Sequence, residues 1–109
     1  LWNVGIVCAS DTFARVVRDN CMVIGDWAER MGTHLFGDAH KLKSFLKNKD
    51  AIIVPEGYDA FASREEREII RHYENKGKTV VLYDYKIDKG SFMYVEALIK
   101  KCINNKRSL

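Results

Sequence analysis

Three short runs constrain this chain more than any other feature: Val4-Gly5-Ile6-Val7-Cys8, Ala51-Ile52-Ile53-Val54 and Thr79-Val80-Val81-Leu82-Tyr83. Each is apolar or β-branched almost throughout, with no polar alternation, as in strands covered on both faces. Between the runs the hydrophobic period lengthens. Ser10-Asp11-Thr12 offers helix-capping chemistry, and Phe13, Val16, Val17, Cys21, Ile24, Trp27, Ala28 and Met31 then recur at helical spacing. Gly32 stands where an αL helix stop is expected. His34-Leu35-Phe36 reads as a short second strand. Asp38 reads as the cap of a helix that turns Leu42, Phe45 and Leu46 inward and its lysines outward. Ser63-Arg64-Glu65-Glu66 has the S-x-x-E form of a capping box, opening a helix with Ile69, Ile70 and Tyr73 on its buried face and Gly77 at its end. Ser91 opens a last helix carrying Phe92, Val95, Leu98, Ile99 and Cys102.

The order is therefore β-α-β-α-β-α-β-α. Right-handed crossovers then impose a parallel sheet between layers of helices. The expected fold is α/β: a three-layer α/β/α sandwich on a four-stranded parallel sheet of order 2-1-3-4, Rossmann- or flavodoxin-like. A chain of 109 residues, 47% hydrophobic and 30% charged, suits one globular domain over residues 1–109, with 103–109 as a basic tail.

The net charge of +3 comes with basic clusters at Lys41, Lys43, Lys47 and Lys49 and, toward the end of the chain, at Lys100, Lys101, Lys106 and Arg107. Such clusters read as solvated helix faces, and a nucleic-acid footprint is not expected. Cys8, Cys21 and Cys102 are odd in number, far apart and set among apolar residues, which fits reduced thiols rather than a disulfide framework. No C-x-x-C or Cys/His spacing calls for zinc. No apolar run is long enough to cross a membrane, and no basic segment precedes an apolar stretch at the N-terminus, so the expectation is a soluble cytoplasmic protein.

In an open α/β sheet, ligands bind beyond the carboxyl ends of the strands, where the strand order reverses. For order 2-1-3-4 that crevice lies between the first and third strands. Ser10, Asp11 and Thr12 follow the first; Pro55, Glu56, Gly57, Tyr58 and Asp59 follow the third; Asp84 follows the fourth. Ser10 and Asp11 suit a helix cap as well as a phosphate site, and Gly57 suits a tight turn. Tyr58 has no periodic partner and offers a stacking face for a base or ring. His34, His40 and His72 read as surface or boundary residues, and Trp27 and Tyr73 as packing. Carboxylates gathered on one rim suit sugar hydroxyls, a divalent cation, or acid/base and nucleophilic work at a glycosidic carbon.

Residues 47–68, KNKDAIIVPEGYDAFASREERE, and 77–83, GKTVVLY, resemble the small nucleoside 2-deoxyribosyltransferase-like proteins. In that family an acid precedes a strand, a polar loop follows it, and a glutamate lies in the next helix. The resemblance implies a glutamate nucleophile at Glu68 with Asp59 as a supporting acid, attacking the anomeric carbon to release the base. The chain departs from the family at Arg64-Glu65-Glu66, where a small Gly-Thr or Gly-Ala pair belongs, and it lacks the aromatic residue of the first strand. The likeness therefore implies fold and cleft more than activity.

The opening VGIVCASDTFA is similar to a flavodoxin as well. Phe13 and Ala14 replace the glycine and hydroxyl residue of that family's phosphate loop, so no flavin and no other cofactor is expected. A receiver domain places an acid directly at the end of the third strand, and a Toprim-type metal site needs a D-x-D where this chain has D-Y-K-I-D; no metal site is assigned. Two functions remain: an enzyme acting on a nucleoside or nucleotide through Glu68, Asp59 and Asp11, or a non-catalytic module that sequesters a small nucleotide or docks on a partner protein. The exposed edges of a four-stranded sheet leave homodimerisation open.

Overall fold

The computed structural model describes residues 3–12, 14–15, 32–84, 97, 100 and 101. Four strands form one sheet: β1 (Val4–Cys8), β2 (Gly32–Leu35), β3 (Ala51–Pro55) and β4 (Thr79–Tyr83). Their order is β2-β1-β3-β4 and every pairing is parallel. This is the topology expected from the alternation of apolar runs and helical periods. Two helices are described between strands, α1 (Ala39–Leu46) and α2 (Arg64–Asn75), with a 3-10 turn at Tyr58–Ala60.

β2 begins earlier than the hydrophobic pattern suggests. Gly32 was expected to stop a helix, yet it is the first strand residue and pairs with Gly5. Phe36, expected inside the strand, lies just past its end, although its N–H still donates to Cys8 O at 3.3 Å. The helix expected over residues 13–31 and the final helix over 91–102 lie outside the described residues, except for helical backbone at 11–12, 14–15, 97, 100 and 101.

One face of the sheet carries Val7, Ile52 and Val54 against Leu42 and Leu46 of α1 and Ile70 and Tyr73 of α2. The spacings explain the choice: residues four apart on α1 and three apart on α2 share a helix face. Each such side chain contributes about 1.5–3 kcal/mol when fully buried. On the opposite face Val4, Ile6, Cys8, Ala51 and Ile53 are fully buried, with Val81 and Tyr83 close behind. Both faces of the sheet are thus removed from water, which is why its central strands read as unbroken apolar runs.

The central strand needs a glycine at position 5. A Cβ there would stand 2.7 and 2.8 Å from two ring carbons of Phe45. Phe45 occupies that seat, stacked on His34 at 5.6 Å between centroids and covered by Lys49 Nζ at 4.8 Å. At the amino end of the sheet, Asn3 N–H donates to Asp50 Oδ2 at 2.7 Å and Tyr73 O–H donates to Lys49 O at 2.8 Å. These bonds tie the turn that feeds β3 to the start of β1 and to α2.

Both expected helix caps form. Asp38 Oδ1 accepts from Lys41 N–H at 3.1 Å, and that bond holds the Asp38 carboxyl below its ordinary pKa. Ser63 Oγ accepts from Glu66 N–H at 3.2 Å while Glu66 Oε1 accepts from Ser63 N–H at 3.0 Å, a complete capping box. Gly77 ends α2 with φ of 84°, a left-handed conformation in which glycine carries no steric penalty.

Candidate functional site

Parallel pairing places the carboxyl ends of all four strands at one edge. The β3–β4 register sets Pro55 beside Tyr83, and the β1–β3 register, carried two residues further, sets Cys8 level with Pro55. Ser10 and Asp11 follow β1, Glu56 follows β3 and Asp84 follows β4, so these residues share one end of the molecule. Ser10, Asp11, Thr12, Glu56 and Asp59 are exposed; Asp84 and Tyr58 are half-buried.

The backbone beneath this rim is tied together by Tyr83. Its carbonyl accepts from Glu56 N–H at 2.7 Å, and its hydroxyl, reaching across the sheet, accepts from Ala9 N–H at 3.4 Å. One buried tyrosine thereby connects the ends of β1, β3 and β4. Ser10 O accepts from Ala14 N–H at 3.1 Å, so the first helical turn opens at Ser10, directly above β1. The Ser10-Asp11-Thr12 segment is consequently both the start of a helix and part of the rim.

The loop after β3 divides its residues between two surroundings. Gly57 turns the chain with φ of 73°, and Ala60 N–H then donates to Gly57 O at 3.1 Å. Tyr58 folds back and lies nearly parallel to Phe36, 6.4 Å between centroids and 11° between planes. Burial, reinforced by the charges of Asp59 and Glu74, pushes the Tyr58 hydroxyl pKa up. One ring face is therefore engaged by Phe36, and the phenol stays a neutral hydrogen-bonding group at ordinary pH.

Asp59 turns the other way. It lines a hollow of about 290 Å³ together with Arg64, Arg67, Glu68 and Arg71 of α2. Asp59 and Glu68 are thus brought together, but on the outer side of α2 and apart from the β1–β3 crevice. Glu68 is well exposed, and its Oε1 accepts from Arg64 Nε at 3.3 Å. The remaining expected residues fall into place as packing or surface: Tyr73 is buried in the core and His72 is exposed.

Two residues near the rim carry more than the sequence suggests. Glu66 is only 2% exposed, and besides closing the capping box its Oε2 accepts from Gly37 N–H at 3.1 Å. It links the start of α2 to the loop between β2 and α1. The S-x-x-E pattern points to the first bond; nothing local in sequence points to the second. His34, in β2, keeps its Nε2 out of water with no hydrogen-bond partner, and burial holds its pKa below 6.5 against the opposing charges of Glu66 and Asp38.

Among the described residues, no helix is long and apolar enough to cross a membrane, and no cluster of three or more His, Cys, Asp or Glu side chains could hold a metal. No curated protein and no solved structure matches the chain. A family model described as the YmtS Rossmann-like domain matches residues 5–106.

Proposed function

The chain belongs to the YmtS Rossmann-like domain family, and because open α/β sheets bind ligands beyond the carboxyl ends of their strands, we propose that it is a non-catalytic module taking a nucleoside or nucleotide there. The observation that carries this reading is the strand order. β1 lies between β2 and β3, so the chain leaves β1 in one direction and β3 in the other, opening a crevice between their ends. Ser10 and Asp11 on one wall and Glu56 on the other supply acceptors for sugar hydroxyls, and the helix opening at Ser10 supplies backbone donors for an anionic group. Asp84, at the end of the neighbouring strand, widens the polar rim. Cytoplasmic placement and self-association through a sheet edge accompany this proposal.

A second reading, glycosyl transfer, draws support from one observation: Asp59 and Glu68 face a common hollow, as a nucleophile and its supporting acid must. Three features favour the module instead. Glu68 is exposed, it is paired with Arg64, and Arg64-Glu65-Glu66 fills the place of the small residues that let a sugar approach.

The two readings separate in one experiment. The protein is incubated with deoxynucleosides and nucleotides, base release is followed by chromatography, and binding is followed by calorimetry. Saturable binding without base release supports the module, and weaker binding in Asp11→Asn or Glu56→Gln locates it. Turnover that Glu68→Gln abolishes would establish the enzyme and reject the proposal.

A further inference from the structure

The hollow on α2 has a chemistry of its own. All five residues around it are charged, so it has no apolar wall on which a base or lipid could rest. Its volume, about 290 Å³, is near the lower end for small-ligand sites, roughly 300 Å³ and upward. Arg64, Arg67 and Arg71 are three and four residues apart, which brings their guanidinium groups onto one stripe of the helix. Against them stand two carboxylates, Asp59 and Glu68, leaving one net positive charge within the hollow.

The internal pairing is weak. Only Arg64 has an ion-pair partner among the described residues, and that partner is Glu68. The pair is 85% and 61% exposed and has its cation on the amino-terminal side, the less favourable order along a helix. Arg67 and Arg71 form no ion pair among the described residues. Guanidinium groups stay charged at any working pH and present forked donors that match phosphate oxygens two at a time. A phosphate group can therefore engage Arg67 and Arg71 and displace Glu68 from Arg64 at small cost.

We propose that the Asp59–Arg64–Arg67–Glu68–Arg71 hollow is an anion site that binds the phosphate of a small phosphate ester or diphosphate. The proposal extends the nucleotide reading to a second surface, since Asp59 follows Glu56 in the loop after β3 although the hollow itself lies outside the crevice. It also stands without that reading, because inorganic diphosphate alone suffices to fill the site.

The test is isothermal titration at constant ionic strength with three probes: inorganic phosphate, pyrophosphate and an unphosphorylated deoxynucleoside. Pyrophosphate is expected to bind the wild-type chain more tightly than phosphate. Arg67→Ala with Arg71→Ala is expected to raise the pyrophosphate Kd by at least about tenfold, the scale of losing charge-assisted hydrogen bonds, while leaving nucleoside binding unchanged. Glu68→Gln is expected to tighten pyrophosphate binding by roughly two- to fivefold, because a competing carboxylate leaves Arg64. Arg67→Lys with Arg71→Lys, which keeps the charge and loses the fork, is expected to fall between the two and decides the matter should the alanine variant fail to fold. No pyrophosphate binding, unchanged affinity in the double variants, or weaker binding in Glu68→Gln overturns the site. Nucleoside binding that fails while pyrophosphate binding holds would reject the rim reading and leave this one standing.

Discussion

Replacing Glu66 with alanine should destabilise the fold far more than an ordinary surface change. Its side chain is 2% exposed and both oxygens accept hydrogen bonds, from Ser63 N–H at 3.0 Å and Gly37 N–H at 3.1 Å. Loss of the reciprocal cap costs about 1 kcal/mol. The bond to Gly37 adds about 1.5 kcal/mol, the lower end for a charged acceptor, because Gly37 is exposed and water can replace the lost partner. The sum is about 2–3 kcal/mol, or a fall in Tm of roughly 8–12 °C for a domain of this length. Urea unfolding followed by far-UV circular dichroism measures it directly. Ser63→Ala should cost about 1 kcal/mol, and the double variant less than the two singles added, since both belong to one capping box. A Glu66→Ala cost under about 0.5 kcal/mol, comparable to an ordinary surface change, would refute the claim that this carboxyl joins α2 to the β2–α1 loop.

Further outcomes follow from the packing and the charges. Gly5→Ala should destabilise by about 1–3 kcal/mol, the usual range for an overpacked core, because the new methyl meets the Phe45 ring at 2.7 Å; combining it with Phe45→Leu should recover part of the loss in a thermal melt, and no recovery would mean that the clash lies elsewhere. His34 is harder to protonate folded than unfolded, so the unfolded chain binds more protons as pH falls through 6.5. Stability is then full above 6.5, declines below it and levels once the lower folded pKa is passed. His34→Phe should remove that component of the slope in urea midpoints measured between about pH 7.5 and 5; parallel slopes in the two proteins would contradict it.

Much of this architecture is readable from local pattern, and the reason is physical. β1 and β3 are buried on both faces, so their apolar runs are unbroken and mark the centre of a parallel sheet. Caps are short-range, so Asp38 and the Ser63/Glu66 box declare themselves within four residues. The edge strand β2 is harder to bound. Phe36 looks continuous with it, and Gly32 looks like a helix end, because a short edge strand carries little burial to shape its pattern.

The site divides in the same way. Topology alone gathers Ser10, Asp11, Glu56 and Asp84 at one end, and topology follows from the element order. The direction in which Tyr58 and Asp59 turn does not, because it depends on Gly57 and on the docking of Tyr58 against Phe36. Glu66 shows the same limit: its cap is local, whereas its bond to Gly37 spans 29 residues. Nothing local in the sequence marks the arginine stripe on α2 as a site. It becomes a candidate site only once the loop after β3 brings Asp59 over it.

The most direct measurement of the central claim is an amide chemical-shift map of the isotope-labelled protein titrated with a deoxynucleoside. Saturable shifts confined to the backbone around Ala9, Ser10, Asp11, Glu56 and Gly57, where β1 and β3 end, are the predicted result. Shifts centred on the opposite end of the sheet, around Asn3, Lys49 and Asp50, or no saturable shifts at all, would contradict it.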